Sequence, residues 1–470
     1  MQTLNIVTFR RLMVLLLTAI YVQSLPSSAW AGTPSRPNIL FLLTDDQRFD
    51  DLGSMGNRVI QTPHLDRLAG EGVIFNNAFV TTAICCASRA SILTGQHMRR
   101  HSIEDFATPL SSAAMDATYP VLLRRAGYRT GFLGKMAIGR PSEDIRHLSL
   151  PADKFDFWYG FPQSISFRQV VDGKPRFLTT LLAEKAVEFL RTNPAHKPFC
   201  LSISFKTPHG PFGFFDPCAA NPYENTKIPP CATCTREDYE AQPEFLQKSL
   251  NGSGAWPKAP LERFAKSART CYRLITGMDA AVGRIMATLE DLGLDKNTVV
   301  IFTSDHGALR GAHGLSGKWI MYEESIRIPL IVRDPRLPSV LRGTRRDQMV
   351  LNIDLAPTML ALGGVPVPSN MQGCDIGPLL RDASIGWRSE WFYEHTYNTK
   401  PPRRPIAKSA GVRTERWKYI RYLEQDPPYE QLFDVKKDPG ETRNLMALAD
   451  HADVLAQMRA RWERLGREAR

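Results

Sequence analysis

The chain has 470 residues, 43% hydrophobic and 23% charged, with 59 Lys and Arg against 48 Asp and Glu and a formal charge of +11. Those fractions describe an ordinary globular protein and exclude a disordered or fibrous one. The basic surplus suits a polyanionic partner (nucleic acid, anionic lipid or sulfated glycan), but no long run of Lys or Arg supplies a nucleic-acid-binding arm.

Residues 1–31 have the layout of a secretory signal peptide. Arg10 and Arg11 precede an apolar run from Leu12 to Val22, and Ala29-Trp30-Ala31 offers a small-x-small cleavage site. A signal anchor is the alternative, but the run is about half of the ~20 residues a bilayer span needs. No later segment reads as a membrane span, so an exported protein, periplasmic or secreted, is expected. Cleavage leaves 439 residues with a charge of +9, enough for a large domain and a smaller one.

Four apolar, β-prone runs then end in polar residues: NILFLLTDD at Asp45 and Asp46, YRTGFLGK at Lys135, FCLSISFKTPHGP at His209, and TVVIFTSDHG at Asp305 and His306. Continuous apolar runs predict strands buried on both faces, as in a parallel sheet covered by helices. Ligands of such sheets lie beyond the carboxyl ends of the strands. TPHLDRLAGEG predicts a helix with Thr62 as N-cap and Pro63 first. Leu261–Leu292 predicts a longer one whose stripe carries Phe264, Ala268, Cys271, Ile275 and Met278. Residues 216–260 read as a long loop insertion. Short aromatic strands and a terminal helix follow residue 385, dividing the chain into 36–385 and 386–470.

Asp45, Asp46 and Asp305 bring hard oxygen ligands to neighbouring strand ends, an environment for Ca²⁺ or Mg²⁺. Asp45-Asp46 alone also suits a strand-ending turn. The eight cysteines are too sparse for a disulfide scaffold. Cys218, Cys231 and Cys234 could form one disulfide in the insertion; zinc there lacks a second ligand pair at finger spacing.

Cys85-x-Ala87-x-Arg89, followed by SILTG, resembles the signature of the formylglycine-dependent sulfatases, usually Cys-x-Pro-x-Arg with Ala accepted in place of Pro. Only Cys85 fits the register, since Ala90 stands where counting from Cys86 needs an arginine. The resemblance runs from RPNILFLLTDDQ to FDVKKDPGETRNL. It implies an alkaline-phosphatase-like α/β/α sandwich with a large, mostly parallel mixed sheet and a smaller C-terminal domain. It implies oxidation of Cys85 to formylglycine (3-oxoalanine) by a maturation enzyme, and one Ca²⁺ held by Asp45, Asp46, Cys85, Asp305 and His306. Arg89 would orient the hydrated aldehyde, one hydroxyl of which takes the sulfate while the other releases it. Lys135 and Lys318 would clamp sulfate, with His209 and Lys318 at the leaving oxygen. His313 has a place in the family pattern without an assigned role; His97 and His101 read as structural.

The family often reads GKWHLG where this chain has GKMAIG, so Ala137 replaces a histidine used in acid–base work. The expected activity is sulfate ester hydrolysis on a sulfated carbohydrate, with Glu394 and His395 as candidate sugar contacts, a packed aromatic strand being their alternative reading. An aryl sulfatase, a formylglycine phosphonate or phosphate-diester hydrolase, and a glycan-binding homologue with impaired turnover are the alternatives.

Overall fold

A computed structural model describes residues 36–139, 151–162, 165–210, 215, 221–254, 261–399 and 401–470. The signal-peptide reading and Cys218 fall outside these residues. The four apolar runs are strands of one eight-stranded sheet. In chain order its members are β1 (Asn38–Asp45), β2 (Val73–Phe75), β3 (Arg129–Lys135), β4 (Phe157–Phe161), β5 (Phe199–Pro208), β6 (Thr298–Ser304), β7 (Leu330–Arg333) and β8 (Thr344–Arg346). They lie side by side as β8-β2-β7-β6-β1-β5-β3-β4, and every pairing is parallel except the two made by β7.

Why β1 reads as an unbroken apolar run is visible in its neighbours. Ile39, Phe41 and Leu43 enter one core, whereas Leu40 and Leu42 enter the other. The first core takes the helix α2 (Cys85–Thr94); the second takes α1 (Pro63–Glu71), α3 (Leu178–Arg191) and α4 (Leu261–Asp291). Each such buried side chain contributes about 1.5–3 kcal/mol, so a polar residue in this stretch would be costly on either face. The register sets Asp45 against Pro208, Thr44 against Ser304 and Gly134 against Ser204. The carboxyl ends of β1, β3, β5 and β6 therefore meet along one edge.

Thr62 occupies the N-cap position of α1 but makes no side-chain cap. Asp279, on α4, accepts the N–H groups of His64 and Leu65 instead. Cys271 is buried in the core as its stripe predicts. The insertion is not structureless: Arg236–Glu240 and Glu244–Lys248 are short helices, the first closed by a Thr235/Asp238 capping box. Cys231 and Cys234 are free thiols, and no disulfide forms among the described residues.

After residue 385, β9 (Glu390–His395), β10 (Ser409–Thr414), β11 (Trp417–Tyr422) and β12 (Tyr429–Asp434) make an antiparallel meander. The terminal helix α5 (Ala452–Glu468) packs Leu455 and Met458 on Phe392, Val412 and Tyr419 of this sheet. No described helix is long and apolar enough to cross a membrane.

Candidate active site

Cys85 is the first residue of α2, and every residue of that helix is buried. Small side chains on all sides let it sit inside the molecule, where an amphipathic helix would not. Cys85 thus stands at a buried helix N-terminus, whose free N–H groups favour an anion.

Three groups surround its sulfur. Asp45 Oδ1 lies 3.4 Å away, His306 Nε2 3.3 Å and Lys318 Nζ 3.4 Å. Burial and the nearby Asp45 carboxylate push the unmodified thiol up to about 12, so it is not a reactive thiolate. Cys86 points into the core and is raised further, mainly by burial. Asp45, Asp46, Cys85 and His306 each offer an atom within 4.8 Å of the others. Asp305 adjoins this group, its Oδ1 3.6 Å from His306 Nε2 and 3.2 Å from the Asp46 N–H.

Three carboxylates in a buried pocket need compensating charge. Lys135 Nζ lies 2.5 Å from Asp45, Lys318 Nζ 2.5 Å from Asp46, and Arg89 Nε 2.9 Å from Asp305. Burial opposes ionisation of Asp45, yet Lys135, His209, Arg89 and Lys318 hold it well below the usual carboxylate range. Burial likewise opposes Asp46, which neighbouring positive charge, Lys318 foremost, lowers to about 2. Burial depresses His306, leaving its imidazole neutral and able to donate a lone pair. Carboxylates with a neutral imidazole are a donor set that fits a hard divalent cation such as Ca²⁺, and Asp45, Asp46, Cys85 and His306 could hold one, with Asp305 adjoining.

The backbone explains how Lys135 arrives here. Gly134 has φ +96°, and a Cβ on it would meet the Ser204 carbonyl oxygen at 2.0 Å. Only glycine lets β3 run so close to β5. The Lys135 carbonyl then accepts from Arg89 Nη1 at 2.7 Å and from Ser204 Oγ at 2.7 Å, and Nη1 also donates to Ser204 Oγ. Arg89 is thereby pinned between helix and sheet. His209 places Nε2 3.7 Å from Asp46 Oδ2, at the cavity wall. Ala137 is buried with φ 60° and brings no imidazole.

Asp46, His209 and Lys318 border a cavity of 630 Å³ whose wall includes Tyr272, Arg310 and Trp319. Phe264 and Ala268, predicted on the buried stripe of α4, line it as well. The insertion contributes Ile228–Cys231, Cys234 and Gly254, and Asn251 donates to the carbonyls of Ser316 and Lys318, both at 2.8 Å. From the C-terminal sheet, Tyr393 Oη donates to the Trp319 carbonyl at 2.5 Å and accepts from the Ala83 N–H at 3.4 Å. Asn251 and Tyr393 escaped sequence reading, because a single polar residue in a loop or strand carries no periodic signal. Arg48, Asp50 and Asp51 also line the cavity; the DDQRFDD string after β1 was the available clue.

The two candidate sugar contacts fall in the packed strand that their alternative reading foresaw. Glu394 and His395 are buried, and Glu394 is held by Arg99 at 2.6 and 2.8 Å, so both belong to the packed interior. His313 stacks on Tyr322 at 3.9 Å and lies 3.2 Å from Glu324 Oε2. Burial disfavours its charge, but Glu324 raises it overall. With Glu324 and Glu441 it forms a second close group, already balanced by Lys418 at 2.5 Å from Glu441.

The sulfatase family profile matches residues 37–365, and that of the N-sulphoglucosamine sulphohydrolase C-terminal region matches 311–468. An N-acetylglucosamine-6-O-sulfatase of Bacteroides thetaiotaomicron is 28% identical, covering 89% of this chain and 84% of its own. An ulvan-active sulfatase of Formosa agariphila is 26% identical over 88% of this chain and 78% of its own. A structure solved in complex with its substrate D-glucosamine-2-N,6-O-disulfate superposes with TM-score 0.79 at 26% identity, covering 92% of this chain and 98% of the other. A phosphonate monoester hydrolase of Agrobacterium radiobacter shares the fold, with TM-score 0.78 at 24% identity over 93% and 96% of the two chains.

Proposed function

The chain belongs to the sulfatase family and is a sulfuric ester hydrolase, and from that membership we propose that it removes sulfate from a carbohydrate with residue 85 as nucleophile. The observation that carries the reading is Cys85 at a buried helix N-terminus, with Asp45, Asp46 and His306 within 4.8 Å and Lys318 Nζ at 3.4 Å. Formylglycine at residue 85, installed by a maturation enzyme and hydrated by water, would supply two hydroxyls on one carbon: one to take the sulfate as the bond from sulfur to the sugar oxygen breaks, the other to return to a carbonyl, giving up its proton, as sulfate leaves. Asp45, Asp46, Asp305 and His306 would hold Ca²⁺, which would supply positive charge for the transferring sulfate.

This chain's own residues set the rest. Arg89, fixed by Asp305 and the Lys135 carbonyl, orients residue 85 from the helix side. Lys135 and Lys318 provide ammonium groups for the sulfate oxygens, whose negative charge is spread over the transferring group. His209, at the cavity wall, is placed to give the leaving oxygen its proton. Residues 386–470 act as a C-terminal subdomain that holds the Lys318 loop through Tyr393. Export to the periplasm or medium follows from the signal peptide read in residues 1–31.

Sulfated carbohydrate is favoured over a small aryl sulfate by the N-acetylglucosamine-6-O-sulfatase and ulvan-active relatives. A formylglycine hydrolase of phosphonates would share much of this site and is the second reading. One assay separates them: inorganic sulfate released from N-acetylglucosamine-6-sulfate against turnover of phenyl phosphonate, each with Ca²⁺ and with EDTA. Calcium-dependent sulfate release with little phosphonate turnover supports the first reading. The reverse preference overturns it.

A further inference from the structure

No Lys or Arg among the described residues that line the cavity is left over for a second anionic group. Among its described lining residues every Lys and Arg already faces a carboxylate: Lys318 with Asp46, Arg48 with Asp50, Arg310 with Asp51. A substrate carrying one sulfate in the cavity and further anions elsewhere must find its other counter-charges outside it.

A basic strap lies against the Leu250–Asn251 segment, whose Asn251 holds the Lys318 loop of the cavity wall. Residues 396–405, TYNTKPPRRP, follow β9 in sequence and contain no acidic residue; the structure describes 396–399 and 401–405 of them. The strap is closed on itself by Asn398 Oδ1 accepting the Ile406 N–H at 3.0 Å and by Thr399 Oγ1 donating to the Arg404 carbonyl at 2.5 Å. It is anchored to the cavity rim from two sides. The Pro405 carbonyl accepts the Leu250 N–H at 2.8 Å, next to Asn251, which holds the Lys318 loop. Tyr393 of β9 holds the Trp319 carbonyl. On this anchored loop Arg403 and Arg404 are exposed, and neither has an acidic partner among the described residues. Adjacent unpaired guanidiniums on a short, proline-bounded loop are suited to sulfate or carboxylate, which they bind in a planar fork.

We propose that Arg403 and Arg404 form an accessory anion subsite for a second sulfate or carboxylate of the same molecule, making the preferred substrate a polyanionic oligosaccharide. This rests on the carbohydrate reading of the leaving group above. The subsite lies in solvent, so its effect is modest and salt-sensitive.

The test compares the wild type with Arg403→Ser/Arg404→Ser and with Arg403→Lys/Arg404→Lys. The first readout is the ratio of kcat/KM for a heparin-derived hexasaccharide to that for N-acetylglucosamine-6-sulfate. At low salt the serine pair lowers the ratio about fivefold, the size expected for two exposed ion pairs. The lysine pair restores most of it, and 1 M NaCl abolishes the difference. The second readout, calorimetric binding of the hexasaccharide, requires no turnover and shows the same fall. An unchanged ratio with unchanged binding overturns the subsite, as does an equal loss on both substrates. If the wild type releases no sulfate but binding still falls in the serine pair, the hydrolase reading fails while the subsite stands.

Discussion

Replacing Arg89 by methionine keeps most of the side-chain volume and removes the charge from a residue only 3% exposed. Three things are lost: the 2.9 Å bond to Asp305, the 2.7 Å bond to the Lys135 carbonyl, and the bond to Ser204. Asp305 is fully buried and would lose its nearest cation. Breaking a buried pair from one side costs about 3–5 kcal/mol, since the remaining ion is uncompensated. Arg89→Lys retains the charge but cannot reproduce the fork, so it forfeits one or two charged hydrogen bonds at about 1.5–3 kcal/mol each. Urea denaturation in EDTA, with midpoints and slopes compared, measures both. Saturating Ca²⁺ should shrink the methionine deficit, because a cation on Asp305 restores the missing charge. Sulfate release should stay low in both variants, because residue 85 is no longer oriented. A methionine penalty below about 1 kcal/mol would refute the charge argument. So would a lysine variant as unstable as the methionine one.

Removal of metal should lower stability outright: Ca²⁺ at a hundred times its Kd stabilises a folded protein by about 2.7 kcal/mol, readable as a melting shift on adding EDTA. Asn251→Ala removes two bonds to the Lys318 loop and should lower kcat more than it raises KM, with the melting temperature nearly kept. Gly134→Ala should be severely destabilising, since its methyl meets the Ser204 carbonyl oxygen at 2.0 Å and its φ of +96° is strained for alanine. His101 is lowered by burial to about 3, and its Nδ1 accepts the Ile103 N–H at 3.0 Å. Between pH 6.5 and 3 the unfolded chain binds a proton that the folded one does not. Its contribution therefore falls on acidification by up to about 1.4 kcal/mol per pH unit, and His101→Gln should flatten that slope in urea titrations at pH 7 and 5.

What the sequence disclosed and what it hid divide along physical lines. Strand-end residues were legible because β1, β3, β5 and β6 are buried, largely apolar runs that stop at or just before Asp45, Lys135, His209 and Asp305. Continuous burial forces that pattern, and a parallel sheet forces the ends together. The proposed nucleophile was singled out by the spacing of Cys85 and Arg89, two residues that the first turn of α2 carries, both buried. The insertion was misread as loop throughout, because helices as short as Arg236–Glu240 give no periodicity to detect. Asn251 and Tyr393 were invisible because they act through backbone carbonyls of Lys318 and Trp319, remote in sequence. The helix α4 was drawn correctly in extent, yet its first turns face the cavity through Phe264 rather than the core. An apolar stripe does not distinguish a core from the wall of a binding site.

Peptide mass spectrometry across residue 85, on protein produced with a maturation enzyme and sorted by sulfate-releasing activity, tests the nucleophile most directly. The active fraction should carry the aldehyde at residue 85, seen by its mass and by capture with a hydrazide. Full turnover from protein whose residue 85 is an unaltered cysteine would contradict the account.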